Sequence, residues 1–153
     1  MIRMLRGALV TALTLSLVAA AGCGSSSTNE ANKYVDTLNK AQTEFVNAMS
    51  KVQSSSAGVT GVTETLKNMK LALTKVVSDM KATKPPDKVK DLHNQLVGEM
   101  SQVGSEVDKM SAATATGDLK KIAAAEPKFV TNVSGLATKV GNTIDAINAK
   151  LHS

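Results

Sequence analysis

The stretch "VKDLHNQLVGEMSQVGSEVDKM", Val89 to Met110, sets the fold class. Val89, Leu92, Leu96, Met100, Val103, Val107 and Met110 recur there at alternating threes and fours. This spacing draws one apolar stripe along an α-helix, whereas a half-buried strand would alternate by twos. A helix with a single apolar stripe must bury it against other elements, so the neighbouring segments have to supply the cover.

They do so with the same period. Upstream, Val62, Leu66, Met69, Leu73, Val76, Val77 and Met80 form a second stripe that stops before Pro85-Pro86. The residue before a proline is pushed out of helical geometry, which ends that helix. Asp87 then falls in the acidic first turn of the third one. "SSSAGVTG" at Ser54–Gly61 separates the second stripe from a first, made of Ala31, Tyr34, Val35, Leu38, Ala41, Phe45, Met49 and Val52. Ser27 and Glu30 are spaced as a capping box at its start. Downstream, "ATATGD" at Ala113–Asp118 is the next break, with Asp118 as cap. The fourth stripe runs through Leu119, Ile122, Phe129, Val133, Leu136, Val140, Ile144, Ile147 and Leu151, with a kink expected at Pro127.

No strand-like run competes with these patterns. Four amphipathic helices joined by short breaks predict an all-α fold, an antiparallel up-down-up-down four-helix bundle over residues 30–153. In that order the start of helix one, the second break and the end of helix four share one end. Phe45 and Phe129 come out at similar heights and are expected to touch. Gly98, Gly104, Gly135 and Gly141 inside the helices read as modest stability rather than as sites of close helix contact.

The N-terminus has another character. Arg3 and Arg6 precede an apolar run, Gly7 to Ala21, diluted by Thr11, Thr14 and Ser16. Basic start, short apolar run and small residues form the pattern of an export signal, and the run is short of the ~20 residues that span a bilayer. Ala20-Ala21-Gly22-Cys23 resembles the lipobox of bacterial lipoproteins, with Ala20 standing where Leu is commonest. The resemblance implies cleavage between Gly22 and Cys23, and a diacylglycerol on the sulfur of Cys23. Residues 1–22 are then a removed signal peptide and residues 23–29 a lipidated, Gly/Ser/Thr-rich flexible tether. The chemistry agrees, because Cys23 is the only cysteine and can form no internal disulfide in an oxidising compartment.

Removing 22 of the 153 residues leaves 131, enough for one domain with one core. Of 18 basic residues, the two arginines lie in the leader, and the remaining 16 are all lysine, balanced by 13 acidic residues. Without arginine the domain lacks the planar fork that reads phosphates and guanines, so no nucleic-acid partner is expected. Attraction of the lysines to anionic lipid heads or wall polymers stays open.

Sites for chemistry are scarce. The two histidines, His93 and His152, lie in no Glu-x-x-His pair, no Cys-x-x-Cys-His motif occurs, and no catalytic triad has a plausible centre. Paired carboxylates are absent from the apolar stripes, so no catalytic residue is assigned and no cofactor expected. Met80, His93 and His152 all fall at the bundle end that carries the second break. Thioether and imidazole could together hold copper or cap a haem, which makes a carrier the alternative function. Core methionine and surface histidine is the simpler reading.

The segment after Cys23 is also similar to the small, Lys-rich helical lipoproteins of actinobacteria. "YVDTLNKAQTEF", the Lys-Pro-Pro-Asp turn followed by "LHNQL", and "NTIDAIN" carry the likeness. It implies no activity, and no site residues come with it. The expected function is a non-enzymatic, lipid-anchored interaction or structural module outside the cytoplasm. Its partners would be the membrane, through Cys23, and an envelope protein or anionic wall polymer. Gly24 stands where Asp would signal inner-membrane retention, which leaves an outer-membrane address open in a two-membrane host.

Overall fold

Four helices follow one another in the computed structural model, which describes residues 26–50 and 59–153. They are α1 (Ser26–Ser50), α2 (Val59–Ala82), α3 (Lys90–Ala115) and α4 (Leu119–His152), and no strand occurs among the described residues. At 1.5 Å per residue α1 to α3 are ~36–39 Å long and α4 is ~51 Å. The fold is the expected all-α bundle. α3 packs along both α2 and α4, α2 packs along α1, and α1 meets α4 only briefly. Connections of a few residues allow no crossover, so successive helices run antiparallel.

The stripes read from the sequence are the core. Leu38, Met69, Leu73, Met80, Leu96, Met100, Val103, Val107, Ile144 and Ile147 are almost completely buried. Hydroxyl side chains within the helices are satisfied by bonding back to the carbonyl one turn earlier. Thr37 donates to the Lys33 carbonyl at 3.0 Å, Ser101 to Val97 at 2.7 Å and Thr138 to Ser134 at 3.1 Å. Gly98, Gly104 and Gly135 have open space where a Cβ would stand, so they are not points of close helix approach.

Both described turns have clear causes. After α2, the Thr83 amide donates to the Met80 carbonyl at 3.1 Å, and Pro85-Pro86 leads into a 3₁₀ turn at Asp87–Val89. Asp87 therefore stands in that turn rather than in the first turn of α3. After α3, Gly117 takes a positive φ of 65°, where a side chain would be strained. Asp118 then caps α4 as expected, its carboxylate accepting from the amides of Lys120 at 2.9 Å and Lys121 at 3.3 Å.

Several expectations need correction. α1 begins at Ser26, ahead of the proposed cap Ser27, so Ser26–Asn29 belong to the helix rather than to a tether spanning 23–29. Leu119 is 65 % exposed. Helical side chains lean toward the N-terminus, and at the first residue of α4 that direction leads off the end of the bundle. Phe45 is buried but Phe129 only partly so, and the ring–ring contact in the structure joins Tyr34 to His93 instead. The brief meeting of α1 and α4 gives the two phenylalanines no shared seam. Pro127, where a kink is expected, lies inside α4. The expectations for residues 1–25, for 51–58 and for the Met49 side chain lie outside the described residues.

Candidate functional site

The periodicity that buries Leu96 also buries two polar residues between the apolar positions. His93 is four residues after Val89 and three before Leu96, and Glu99 is three after Leu96, so both share the phase of the stripe.

His93 is 4 % exposed and Tyr34, on α1, is 2 %. The Tyr34 hydroxyl and His93 Nδ1 are 3.1 Å apart, with ring centroids at 5.7 Å and planes inclined by 59°. Burial pushes the imidazole below its ordinary 6.5, partly opposed by hydrogen bonding to the Met80 backbone. Burial also pushes the Tyr34 phenol up to about 12. Both groups are thus neutral at pH 7, and the hydrogen bond between hydroxyl and imidazole clamps α1 to α3.

The clamp makes stability depend on pH in two directions. A histidine with a depressed value in the folded state binds its proton more readily once unfolded, so stability falls as pH drops below 6.5. A tyrosine with a raised value does the opposite, and stability falls as pH rises from 10.0 toward about 12. Thermal melts across pH should therefore show a plateau between these limits. The slope just below 6.5 should vanish in His93→Leu, and the slope above 10.0 should weaken in Tyr34→Phe. An acid slope that survives His93→Leu would assign it to other groups.

Glu99 is 7 % exposed, and both of its carboxyl oxygens accept hydrogen bonds. Gln95 donates to Oε1 at 2.9 Å, and Thr143, on α4, donates to Oε2 at 2.9 Å. Gln95 also donates to the Thr143 hydroxyl at 3.1 Å, closing a triangle between α3 and α4. No buried side-chain nitrogen or oxygen among the described residues is left without a partner.

Of the candidate carrier residues, the structure brings His93 against the Met80 backbone. Met80 is fully buried, His93 is engaged by Tyr34 and by the Met80 backbone, and His152 is exposed at the end of α4. Among the described residues no group of three His, Cys, Asp or Glu side chains is arranged around a common centre for a metal. Gly22 and Cys23 lie outside the described residues. No described helix is long and apolar enough to cross a membrane.

Open depressions lie among the described residues. A groove of about 500 Å³ between α3 and α4 is bordered by Gln102, Ser105, Glu106, Lys109, Asn132 and Lys139. Asn132, at 2.9 Å, and Lys109, at 2.5 Å, donate to Glu106 and hold its carboxyl below the usual range. At the opposite end, a cleft of about 210 Å³ takes Lys33, Tyr34 and Thr37 from α1 and Thr83, Lys84 and Pro85 from the α2–α3 turn.

A model of a family of unknown function, DUF6376, matches residues 28–148, from the first turn of α1 to the last turns of α4. The chain belongs to the DUF6376 family. The DUF6376 match therefore takes in Tyr34, His93, Glu99 and Thr143, together with the buried core, and begins at residue 28. No curated protein and no solved structure matches the chain.

Proposed function

We propose that this DUF6376 protein is a lipid-anchored, extracytoplasmic helical bundle with a non-enzymatic interaction or structural role at the cell envelope. One observation carries the reading: a basic start and a short apolar run end in Ala20-Ala21-Gly22-Cys23, holding the only cysteine of the chain. The family match begins at residue 28, directly behind that cysteine, as it would if everything before Cys23 were removed. Two or more acyl chains on one residue hold a protein stably at a bilayer, at ~0.8 kcal/mol per buried CH₂. Partners are the membrane and an envelope protein or anionic wall polymer. The arginine-free bundle gives nucleic acid no bidentate reader.

The copper or haem carrier has less support, since His93 already has protein partners and Met80 is sealed in the core.

The test is a Cys23→Ser variant expressed in the native host. Wild-type protein should take up a palmitate analogue and sediment with membranes. The variant should remain unlabelled and either leave the membrane fraction or accumulate as a precursor. A wild-type chain that stays unlabelled and free of the membrane rejects the anchor.

A further inference from the structure

We infer that the end of the bundle holding the α2–α3 turn is a docking surface for anionic lipid headgroups, with Lys33 and Lys84 as its central cations. The inference rests on Cys23 as the point of membrane attachment.

Two observations lead to it. The first is reach. Because α1 begins at Ser26, only Gly24 and Ser25 separate the helix from Cys23. Three residue steps extend at most ~11 Å, and Lys33 lies ~10 Å further along α1. The lipid headgroup layer is itself ~5–8 Å deep, so so short a link keeps this end of the bundle at the membrane surface.

The second is charge. Six exposed lysines stand at that end: Lys33 on α1, Lys81 at the end of α2, Lys84 and Lys88 in the turn, Lys90 opening α3 and Lys150 closing α4. The carboxylates among them are Glu30, Asp79, Asp87 and Asp91, and Asp79 is taken up by an ion pair with Lys75 at 2.6 Å. Lys88 also ties the end together by donating to the Leu151 carbonyl at 3.0 Å. At the other end Lys67, Lys70, Lys109, Lys120, Lys121 and Lys128 meet six acids among the described residues, Glu44, Glu64, Glu106, Asp108, Asp118 and Glu126, with Lys70 paired to Asp108. The bundle is thus positive toward its attachment point and close to neutral among the described residues away from it. Lys33 and Lys84 come from different elements to line one cleft of about 210 Å³, which Glu30 lines as well. Two ammonium groups against one carboxylate leave this open cleft a net attraction for a headgroup phosphate.

The experiment uses the chain from Cys23 onward, which contains every described helix and the core residues from Tyr34 to Ile147. Its single thiol is coupled to a maleimide lipid in vesicles of phosphatidylglycerol or of phosphatidylcholine. Amine labelling read by mass spectrometry then reports each lysine. A lysine at an anionic surface gains about fivefold in binding, so labelling of Lys33 and Lys84 should slow about fivefold or more on phosphatidylglycerol. Lys120 and Lys121 should label alike on both vesicles. The protection should disappear at 1 M salt, where the Debye length falls to ~3 Å. Equal labelling of Lys33 and Lys84 on the two vesicles, or protection that survives high salt, overturns the inference. Chemical coupling replaces acylation in the cell, so a negative result here strikes the docking surface alone. An unlabelled chain in the palmitate experiment strikes the anchor and leaves this measurement standing.

Discussion

Leu96→Asp is expected to unfold the domain or bring it close to unfolding. Leu96 is fully buried at the middle of the α3 stripe, on the helix that packs along both α2 and α4. A carboxylate there has no cation within the core to meet, and burying an unpaired charge costs several kcal/mol. A domain of this size has ~5–15 kcal/mol in all. Circular dichroism should show loss of the helical signal at 25 °C, or a melting midpoint lowered by at least ~15 °C. The control is Lys70→Asp. Lys70, on α2, is half exposed and forms an ion pair with Asp108 on α3, so the change replaces an attraction with a repulsion. Exposed pairs are worth ~0.2–1 kcal/mol, and the midpoint should move by only a few degrees. Equal shifts for the two variants would mean that the buried face has been assigned to the wrong side of the helices.

That pair of substitutions also separates what could be read in the sequence from what could not. The stripe through Leu96 follows from spacing alone, because period and hydrophobicity together leave a helix one way to face. The Pro85-Pro86 stop and the Asp118 cap were legible for the same local reason: each depends on the chemistry of residues next to it. Lys70 reads as an unremarkable surface lysine, since its partner Asp108 is 38 residues away on another helix. The Tyr34–His93 contact spans 59 residues and the Glu99–Thr143 contact 44, and no local rule connects them. A signal existed nonetheless. His93 and Glu99 sit in the phase of the apolar stripe, and a polar residue in that phase must find a buried partner or face a large desolvation cost. Pairing Phe45 with Phe129 failed because equal height along a bundle says nothing about which helices share a seam. Leu119 failed because a stripe continues in sequence past the point where the bundle stops covering it.

Thr143→Val is the other substitution with a large expected effect, and it is instructive because it barely changes shape. Thr143 is 3 % exposed and gives its hydroxyl proton to Glu99 Oε2 at 2.9 Å. Valine fills the same space and donates nothing, which leaves a buried acceptor with no donor. A deserted partner of this kind costs ~1–3 kcal/mol, and more when it carries charge. Gln95 loses its 3.1 Å acceptor on Thr143 as well, but it sits at the exposed edge of the network and its amide can turn to water. The penalty therefore lies on Glu99. Changing Glu99→Met at the same time should recover most of the loss, because methionine has a similar length, fits a helix interior and asks for no partner. The single Glu99→Met variant should cost less than Thr143→Val, since the threonine hydroxyl left behind can turn to its own i−4 carbonyl. Denaturant melts of the three variants and wild type form a double-mutant cycle, and its coupling should come out at ~1–3 kcal/mol in the direction of rescue. Simple additivity would mean that water reaches Glu99 once Thr143 is gone. The α3–α4 seam would then be open where the structure draws it closed.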